Sequence, residues 1–343
     1  MGKENKLMFE RILLITNYKP NTGGISVQVG LLHKKLCEEG IVSNIFSTEG
    51  TWFYRLFVLF KLMFEGKNFD VFHIHGCSHL GFFPIAVGVI AGKIFKKKLV
   101  VTYHGGDAGN FFKKHKFLAR YFLTKSDTNI VLSGFLGEVF EKYSIPYTVI
   151  PNIMELSEEQ IFLRENILPN YISVRTLFNI YNIGCILNAF KIVQQKYPEA
   201  TLTLLGDGDC RERLENQAKE LNLQNIHFVG KIGNHEIYNY LSKADVFVSS
   251  SIIDNQPVSI LEAYNAGVLV VSSRVGGIPY MVKDSKTGLL FESNNHNELA
   301  EKMILAITEQ ELSKNMILNA NKELKNYSWE KIREKLLPLY LNQ

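Results

Sequence analysis

Cysteine is scarce in this chain. Cys37, Cys77, Cys185 and Cys210 are scattered, with no CxxC pair and no zinc-ligand spacing. That excludes a disulfide framework and a readable zinc site, and the thiols are expected to be reduced and partly buried, as in a cytosolic protein. Charge of one sign is equally lacking. Thirty-eight Lys and Arg against 34 Asp and Glu leave a net +4, too little to argue for a nucleic-acid partner but compatible with local basic patches. Long apolar runs are missing too. The longest, Gly81 to Phe95, contains Pro84 and Lys93 and is too short to cross a bilayer comfortably. The first residues, Met1-Gly-Lys-Glu-Asn-Lys6, carry mixed charge and do not read as a signal peptide. No GxGxxG fingerprint occurs, which counts against a nicotinamide dehydrogenase.

What is present fits a globular enzyme of two ordinary domains. The chain has 343 residues, 46% hydrophobic and 21% charged, which argues against disorder. Short β-rich runs alternate with amphipathic stretches. Strands are expected at 11–16, 41–47, 71–75, 99–103, 129–132 and 147–150, then at 171–175, 200–205, 226–229, 245–250, 268–272 and 288–291. Helices fit between them, among them 26–39, 183–196, 210–221, 234–242 and 257–266, and the pattern is purely helical after Asn295. Strand–helix alternation predicts parallel sheets covered on both faces. The pattern breaks from Pro151 to Pro169. The expected organisation is a Rossmann-like domain at 1–152, a linker at 153–169, a second Rossmann-like domain at 170–326, and a terminal helical segment at 327–343. In such sheets ligands bind at the carboxyl ends of the strands.

The most informative stretch is Ser249 to Gly267, in which seven residues separate Asp254 from Glu262. An apolar strand runs into a polar loop, and the loop into a helix with Pro257 near its start, where a missing N–H costs little. Asp254 then lies in the loop and Glu262 one to two turns into the helix. Free amides at the helix start form an anion site between two carboxylates, an arrangement suited to a nucleotide sugar. The plainer alternative is a capped helix start with Glu262 on a wet face.

Several weaker signals sit at other strand ends. Gly23 and Gly24 open the first helix, where the backbone can approach a ligand. Gly206 and Gly208, Gly230, and Gly276 with Gly277 are further glycine turns. Arg175 ends the first strand of the second half, and its fork-shaped cation suits a diphosphate. His104 ends a strand beside Gly105 and Gly106 and can exchange a proton near neutral pH. Each has an ordinary structural reading; together they would line a ligand site. His73 and His75 alternate along one strand and are expected on opposite faces, so no shared metal site is expected from them. Trp52 to Phe64 is apolar and aromatic with isolated cations, and Phe95–Lys98 and Phe111–Phe117 add lysines beside aromatics. Such surfaces suit peripheral contact with an anionic membrane. For Trp52–Phe64 a core helix is the favoured reading.

These elements, in this order, resemble the retaining GT-B glycosyltransferases of family four, the glycosyl transferase group 1 type. The resemblance rests on Gly23-Gly24, Val71–His75, Thr102–Asp107, Ile150-Pro-Asn152, Leu204–Gly208, Phe228–Gly230, Ala244–Val248, Glu262-Ala with Gly267, Val275–Pro279 and Thr287–Leu290. It covers nearly the whole chain. It implies two Rossmann-like domains facing a cleft, a final helix crossing back to the first domain, and a nucleoside diphosphate sugar as co-substrate with no metal and no cofactor. By resemblance Glu262 binds ribose, and Asp254 faces the transferred sugar. The segment Asn255, Gln256, Pro257, Val258 and Ser259 holds phosphate or sugar through its free amides. Arg175 binds the diphosphate, Gly23 and Gly24 approach the phosphates, and His104 lies near the reacting sugar. Two departures stand out: Asp254 replaces the usual glutamate, and Tyr181-Asn182 replaces the usual lysine-glycine pair. The implied activity is retaining hexosyl transfer, from a UDP- or GDP-sugar, to a glycan or lipid-linked acceptor. The implied setting is cell-envelope or exopolysaccharide synthesis, in the cytoplasm or on the inner face of the membrane. Alternatives are an epimerase or phosphorylase on the same fold, or a non-catalytic sugar-nucleotide-binding subunit.

Overall fold

The structure is a computed structural model that describes residues 11–20, 23–156 and 164–341. Asn21 and Thr22, in the first glycine loop, lie outside the described residues. The chain divides into two units, Met1–Ile153 with Trp329–Gln343, and Met154–Ser328.

The first unit alternates strand and helix: β1 (Ile12–Thr16), α1 (Gly23–Glu38), β2 (Ser43–Ser47), α2 (Trp52–Gly66), β3 (Val71–Gly76), α3 (Phe83–Ile94), β4 (Lys98–Tyr103), α4 (Ala108–Lys114), α5 (Lys116–Leu123), β5 (Thr128–Val131), α6 (Gly134–Lys142) and β6 (Thr148–Val149). The second contains β7 (Asn170–Val174), α7 (Ile183–Lys196), β8 (Thr201–Leu205), α8 (Arg211–Glu220), β9 (Ile226–Gly230), α9 (Asn234–Leu241), β10 (Val246–Ser249), α10 (Val258–Asn265), β11 (Leu269–Ser273), α11 (Ile278–Met281), β12 (Leu289–Phe291), α12 (His296–Thr308) and α13 (Gln310–Leu324). A last helix, α14 (Trp329–Leu336), belongs to the first unit.

Each unit is built on a six-stranded sheet, ordered β2-β1-β3-β4-β5-β6 and β12-β11-β10-β7-β8-β9, and every strand pairing is parallel. Both sheets are therefore doubly wound. Their strand order reverses between β1 and β3 in the first and between β7 and β10 in the second, the crevices where such sheets take ligands.

Alternation along β1 sends Leu13 and Ile15 to one face, under α2 to α6, and Ile12 and Leu14 to the other, under α1 and α14. The C-terminal segment closes that second face with Trp329, Ile332, Leu336 and Tyr340. Trp329 Nε1 donates to Glu39 Oε1 at 2.8 Å. A reciprocal pair of buried hydrogen bonds ties α1 to the chain end of the unit: Gln28 Nε2 donates to the Ile153 carbonyl at 3.0 Å, and Gln28 Oε1 accepts from the Ile153 amide at 2.9 Å. β2 begins two residues later than the sequence pattern implies. The left-handed Gly40 turns the chain, and the Ile41 amide goes back to the Leu36 carbonyl to close α1.

Candidate active site

The second unit gathers the strand-end residues of its sheet. Arg175 follows β7, Gly206 and Gly208 follow β8, Gly230 ends β9, Asp254 lies beyond β10, and Gly276 and Gly277 follow β11. Arg175 and Asp254 belong to the two strands flanking the reversal point. Arg175 Nη2 stands 2.8 Å from Asp254 Oδ2, with both side chains largely buried. The pair is held by charge rather than by a directed hydrogen bond, for Nη2 and Nε have no hydrogen-bond acceptor among the described residues. Nη2 is engaged by the carboxylate; Nε is the buried guanidinium donor left without an acceptor among the described residues, which is costly unless something accepts from it.

The loop bearing Asp254 is fixed from both sides. The Ile252 amide donates to the Ile180 carbonyl at 2.8 Å, and the Ser250 hydroxyl to the Tyr181 and Asn182 carbonyls at 3.0 and 2.8 Å. On the other side the Gly277 amide donates to the Asp254 carbonyl at 3.0 Å. A Cβ at Gly276, whose φ is +51°, would fall on that same carbonyl oxygen. At Gly206 it would fall on the Arg175 carbonyl oxygen. These glycines are present because two backbones cross there. Gly230 pairs with Gly206 in an isolated bridge.

Helix α10 starts at Val258 with Pro257 as its N-cap, one residue later than the sequence suggests. Val258 and Ser259 carry first-turn amides that no intrahelical carbonyl can satisfy. Ser259 Oγ is buried and without a hydrogen-bond partner among the described residues. Asn255 and Gln256 are buried in the approach to the helix. Glu262, just beyond the first turn, is half-buried. Burial pushes its carboxyl up from the ordinary value, and the nearby Arg175 pulls it back down. A cation, free donors, a helix start and two carboxylates converge, as binding of a polyol-bearing anion requires.

In the first unit, Gly23 takes a φ of +72° and, with Gly24, begins α1; a Cβ at either would meet open space. His104 follows β4. Its Nε2 lies 3.0 Å from His75 Nδ1, and burial drops its pKa to about 4. The expectation for the other histidines needs correction. Residues two apart on a strand share a face, and the His73 and His75 rings lie 4.1 Å apart on the side covered by α14. His73 Nδ1 and Nε2 contact the Tyr340 hydroxyl and Thr102 Oγ1, both at 2.7 Å. Burial takes His73 down to about 3, so these rings are neutral core groups. Among the described residues no cluster of three or more His, Cys, Asp or Glu is arranged to hold a metal. Asp207 and Asp209 have the spacing of a DxD pair, but Asp207 is turned to Arg211 at 3.6 Å and to the Gly208 amide at 2.9 Å.

Comparison with known proteins gives the family. Residues 158–323 match the glycosyl transferases group 1 family and residues 22–158 match glycosyltransferase family 4. The chain belongs to the group 1, family 4 glycosyltransferases. An uncharacterized glycosyltransferase of Methanocaldococcus jannaschii is 26% identical, over 95% of this chain and 96% of that one. A Campylobacter jejuni enzyme that adds α-1,4-N-acetyl-D-galactosamine to a diphosphoundecaprenol-linked glycan is 25% identical, over 93% and 95%. The crystal structure of Anabaena HepE with UDP and glucose superposes at a TM-score of 0.77 with 18% identity, over 96% and 98%. That of sucrose-phosphate synthase from Thermosynechococcus elongatus gives 0.81 with 19% identity, over 96% and 97%. The fold is GT-B, with two Rossmann-like units.

In this glycosyltransferase the residue replacing the usual lysine has a definite place. The Tyr181 ring lies against the Arg175 guanidinium, 5.1 Å from centroid to Cζ, a cation–π contact. Asn182, in the position of the usual glycine, takes the left-handed conformation at φ 50° that a glycine would favour. Sequence reasoning saw both substitutions but not the stack, since that depends on the turns between residues 175 and 181, where the Phe178 amide goes to the Thr176 carbonyl and the Tyr181 amide to the Phe178 carbonyl. It also missed Ser251, whose hydroxyl lies 3.4 Å from Asp254 Oδ2. Its only signal was membership in the serine run Ser249–Ser251.

Proposed function

We propose that this glycosyltransferase moves a hexosyl group, with retention at the anomeric carbon, from a nucleoside diphosphate sugar to a glycan or lipid-linked acceptor in cell-envelope or exopolysaccharide synthesis. The observation that carries the reading is Arg175: a buried cation at the strand-order reversal, paired with Asp254 through Nη2, with Nε unsatisfied among the described residues and the start of α10 in the same sheet crevice. UDP is the favoured nucleotide, since solved relatives hold UDP and UDP-glucose. The Campylobacter relative supports a lipid-linked acceptor.

Charge grows on the leaving diphosphate as the glycosidic bond breaks. Arg175 and the first-turn amides of α10 stabilise it there without rearranging. Glu262 accepts hydrogen bonds from ribose hydroxyls, and the Asp254 oxygen not engaged by Arg175 accepts from the transferred sugar. Gly206, Gly208 and Gly230 allow close backbone approach to the nucleotide. By the family resemblance Gly23 and Gly24 are assigned to phosphate approach and His104 to the reacting sugar. We assign no protein nucleophile and no metal: the leaving phosphate takes the acceptor's proton as the new bond forms on the same face.

A thermal-shift screen against UDP-, GDP-, ADP- and dTDP-sugars, with and without EDTA, tests this reading. A ligand that binds the folded state raises the midpoint. One base should do so with EDTA present, and Arg175→Ala or Glu262→Ala should abolish both shift and turnover. An epimer formed without acceptor, or binding with no turnover across many acceptors, would replace the transferase reading.

A further inference from the structure

Helix α2 does not behave as a core helix. Its fifteen residues are apolar on nearly every side, but only one side faces the sheet, where Val58 and Leu62 are buried. Phe53, Phe57, Phe60 and Phe64 are 70, 64, 69 and 73% exposed. Spacings of four, three and four place them in one stripe along the helix. Isolated exposed apolar residues are ordinary, but a continuous aromatic stripe is not.

The stripe continues onto its neighbours. Helix α3 packs beside α2, and α5 beside α3, on the same face of the sheet. Ile90 and Ile94 are exposed on α3, and Leu118, Tyr121 and Phe117, the last at 88%, on α5. Cations accompany these side chains. Helices α2, α3 and α5 carry Arg55, Lys61, Lys93, Lys116 and Arg120 against a single acid, Glu65. Beyond the helix ends, Lys67 Nζ lies 4.7 Å from the Phe64 ring and Lys125 Nζ 4.9 Å from that of Tyr121. Acidic partners are few: Glu65 is 3.7 Å from Lys61, and Asp127 is 3.6 Å from Lys93.

We propose that the outer face of α2, α3 and α5 docks the first unit on an anionic lipid bilayer. The charge decides the occupant. Aromatic rings and lysines at the same level suit the headgroup boundary, where rings enter the acyl edge and ammonium groups stay among phosphates. No helix among the described residues is long and apolar enough to span a membrane, so this face lies on the surface. The inference is independent of the donor reading, because lipid binding is measured without turnover.

Cosedimentation of the full chain with vesicles of phosphatidylglycerol, and with vesicles of phosphatidylcholine alone, is the test. Binding is expected to the first and not the second, weakening as salt rises from about 0.1 to 0.5 M. Phe57→Ser with Phe60→Ser should weaken it at least about tenfold. Lys116→Glu with Arg120→Glu removes two cations at about fivefold each, or about 25-fold before the added repulsion. Both changes are on exposed side chains and should leave the unfolding midpoint unchanged. Equal binding to both vesicles, binding to neither, or wild-type binding by the phenylalanine variant would each overturn the proposal. So would a dimer, seen in sedimentation velocity and abolished by the phenylalanine pair, in a protein that ignores vesicles: the face would then cover a second copy.

Discussion

Removing the Arg175 side chain should separate its structural role from its ligand role. The side chains of Arg175 and Asp254 are 11 and 16% exposed. Breaking a buried pair on one side costs about 3–5 kcal/mol, mostly from the charge left behind. Partial access to water favours the low end, about 3 kcal/mol for Arg175→Ala. In a domain of this size each kcal/mol lowers the midpoint by about 2–4 °C, so a fall of about 6–12 °C is expected. Arg175→Ala with Asp254→Ala leaves no orphaned carboxylate at that position and should recover about 2 kcal/mol of the summed single-variant losses. Ligand binding should not recover. UDP at 100 times its Kd adds about 2.7 kcal/mol to the folded wild type, and neither variant should respond at that concentration. Scanning calorimetry with and without UDP reads both quantities. A full UDP shift in Arg175→Ala would refute the diphosphate role. A double variant no more stable than the sum of its parents would refute the ion pair as a coupled unit.

Other consequences follow from the same geometry. Because burial raises the Glu262 carboxyl, its ionised form is disfavoured in the folded state. Its contribution to stability therefore falls as pH rises through the window above the ordinary carboxylate value, while UDP affinity should fall as pH drops into that same window. Isothermal titration across pH should show the drop, and Glu262→Gln should flatten it. The histidines have the opposite stability sign. Rings held at about 3 and about 4 in the fold against an ordinary 6.5 take up protons first in the unfolded chain, so stability declines as pH falls below about 6.5. From pH 7 to 5 the loss is roughly 2 kcal/mol per ring; urea midpoints should record it, and His73→Gln should remove one share. Gly276→Ala should displace the Asp254 carbonyl and abolish the UDP shift while far-ultraviolet dichroism stays native. Trp329→Phe loses the hydrogen bond to Glu39 and should destabilise the first unit by about 1 kcal/mol, seen as a lower urea midpoint.

The fold was legible because its signals are local. Runs such as Val71–His75 and Val246–Ser249, bounded by amphipathic stretches, can only be parallel strands under helices, and the helix boundaries moved by a few residues at most. Helix starts shifted where proline serves as cap, as at Pro257, and strand starts where a helix end consumes an amide, as at Ile41. The second-unit candidates were legible because a doubly wound sheet brings its strand ends to one edge whatever the loops contain. The contacts among them were not. That Gly276 abuts the Asp254 carbonyl depends on the left-handed residue 276, and that Tyr181 covers Arg175 depends on the tight turns between them; spacing alone does not encode the direction of a turn. The histidine pair failed for a simpler reason: with side chains alternating along a strand, residues 73 and 75 necessarily share a face.

Helix α2 shows the limit of composition in the other direction. A segment apolar all round reads as core, because periodicity has no polar side to mark as the surface. What decides is how much of its circumference the fold can cover. In this unit α2 has the sheet below and α3 along one flank, and Val58 and Leu62 account for the buried side. The phenylalanines at 53, 57, 60 and 64 are the surplus, and the fold buries none of them. Four large aromatic side chains held in water oppose solubility, and folding does not require them. Their stripe-like spacing, with Lys61 and Lys67 in and just beyond the helix and Glu65 its one acid, is therefore best accounted for by a surface that the chain meets after it has folded.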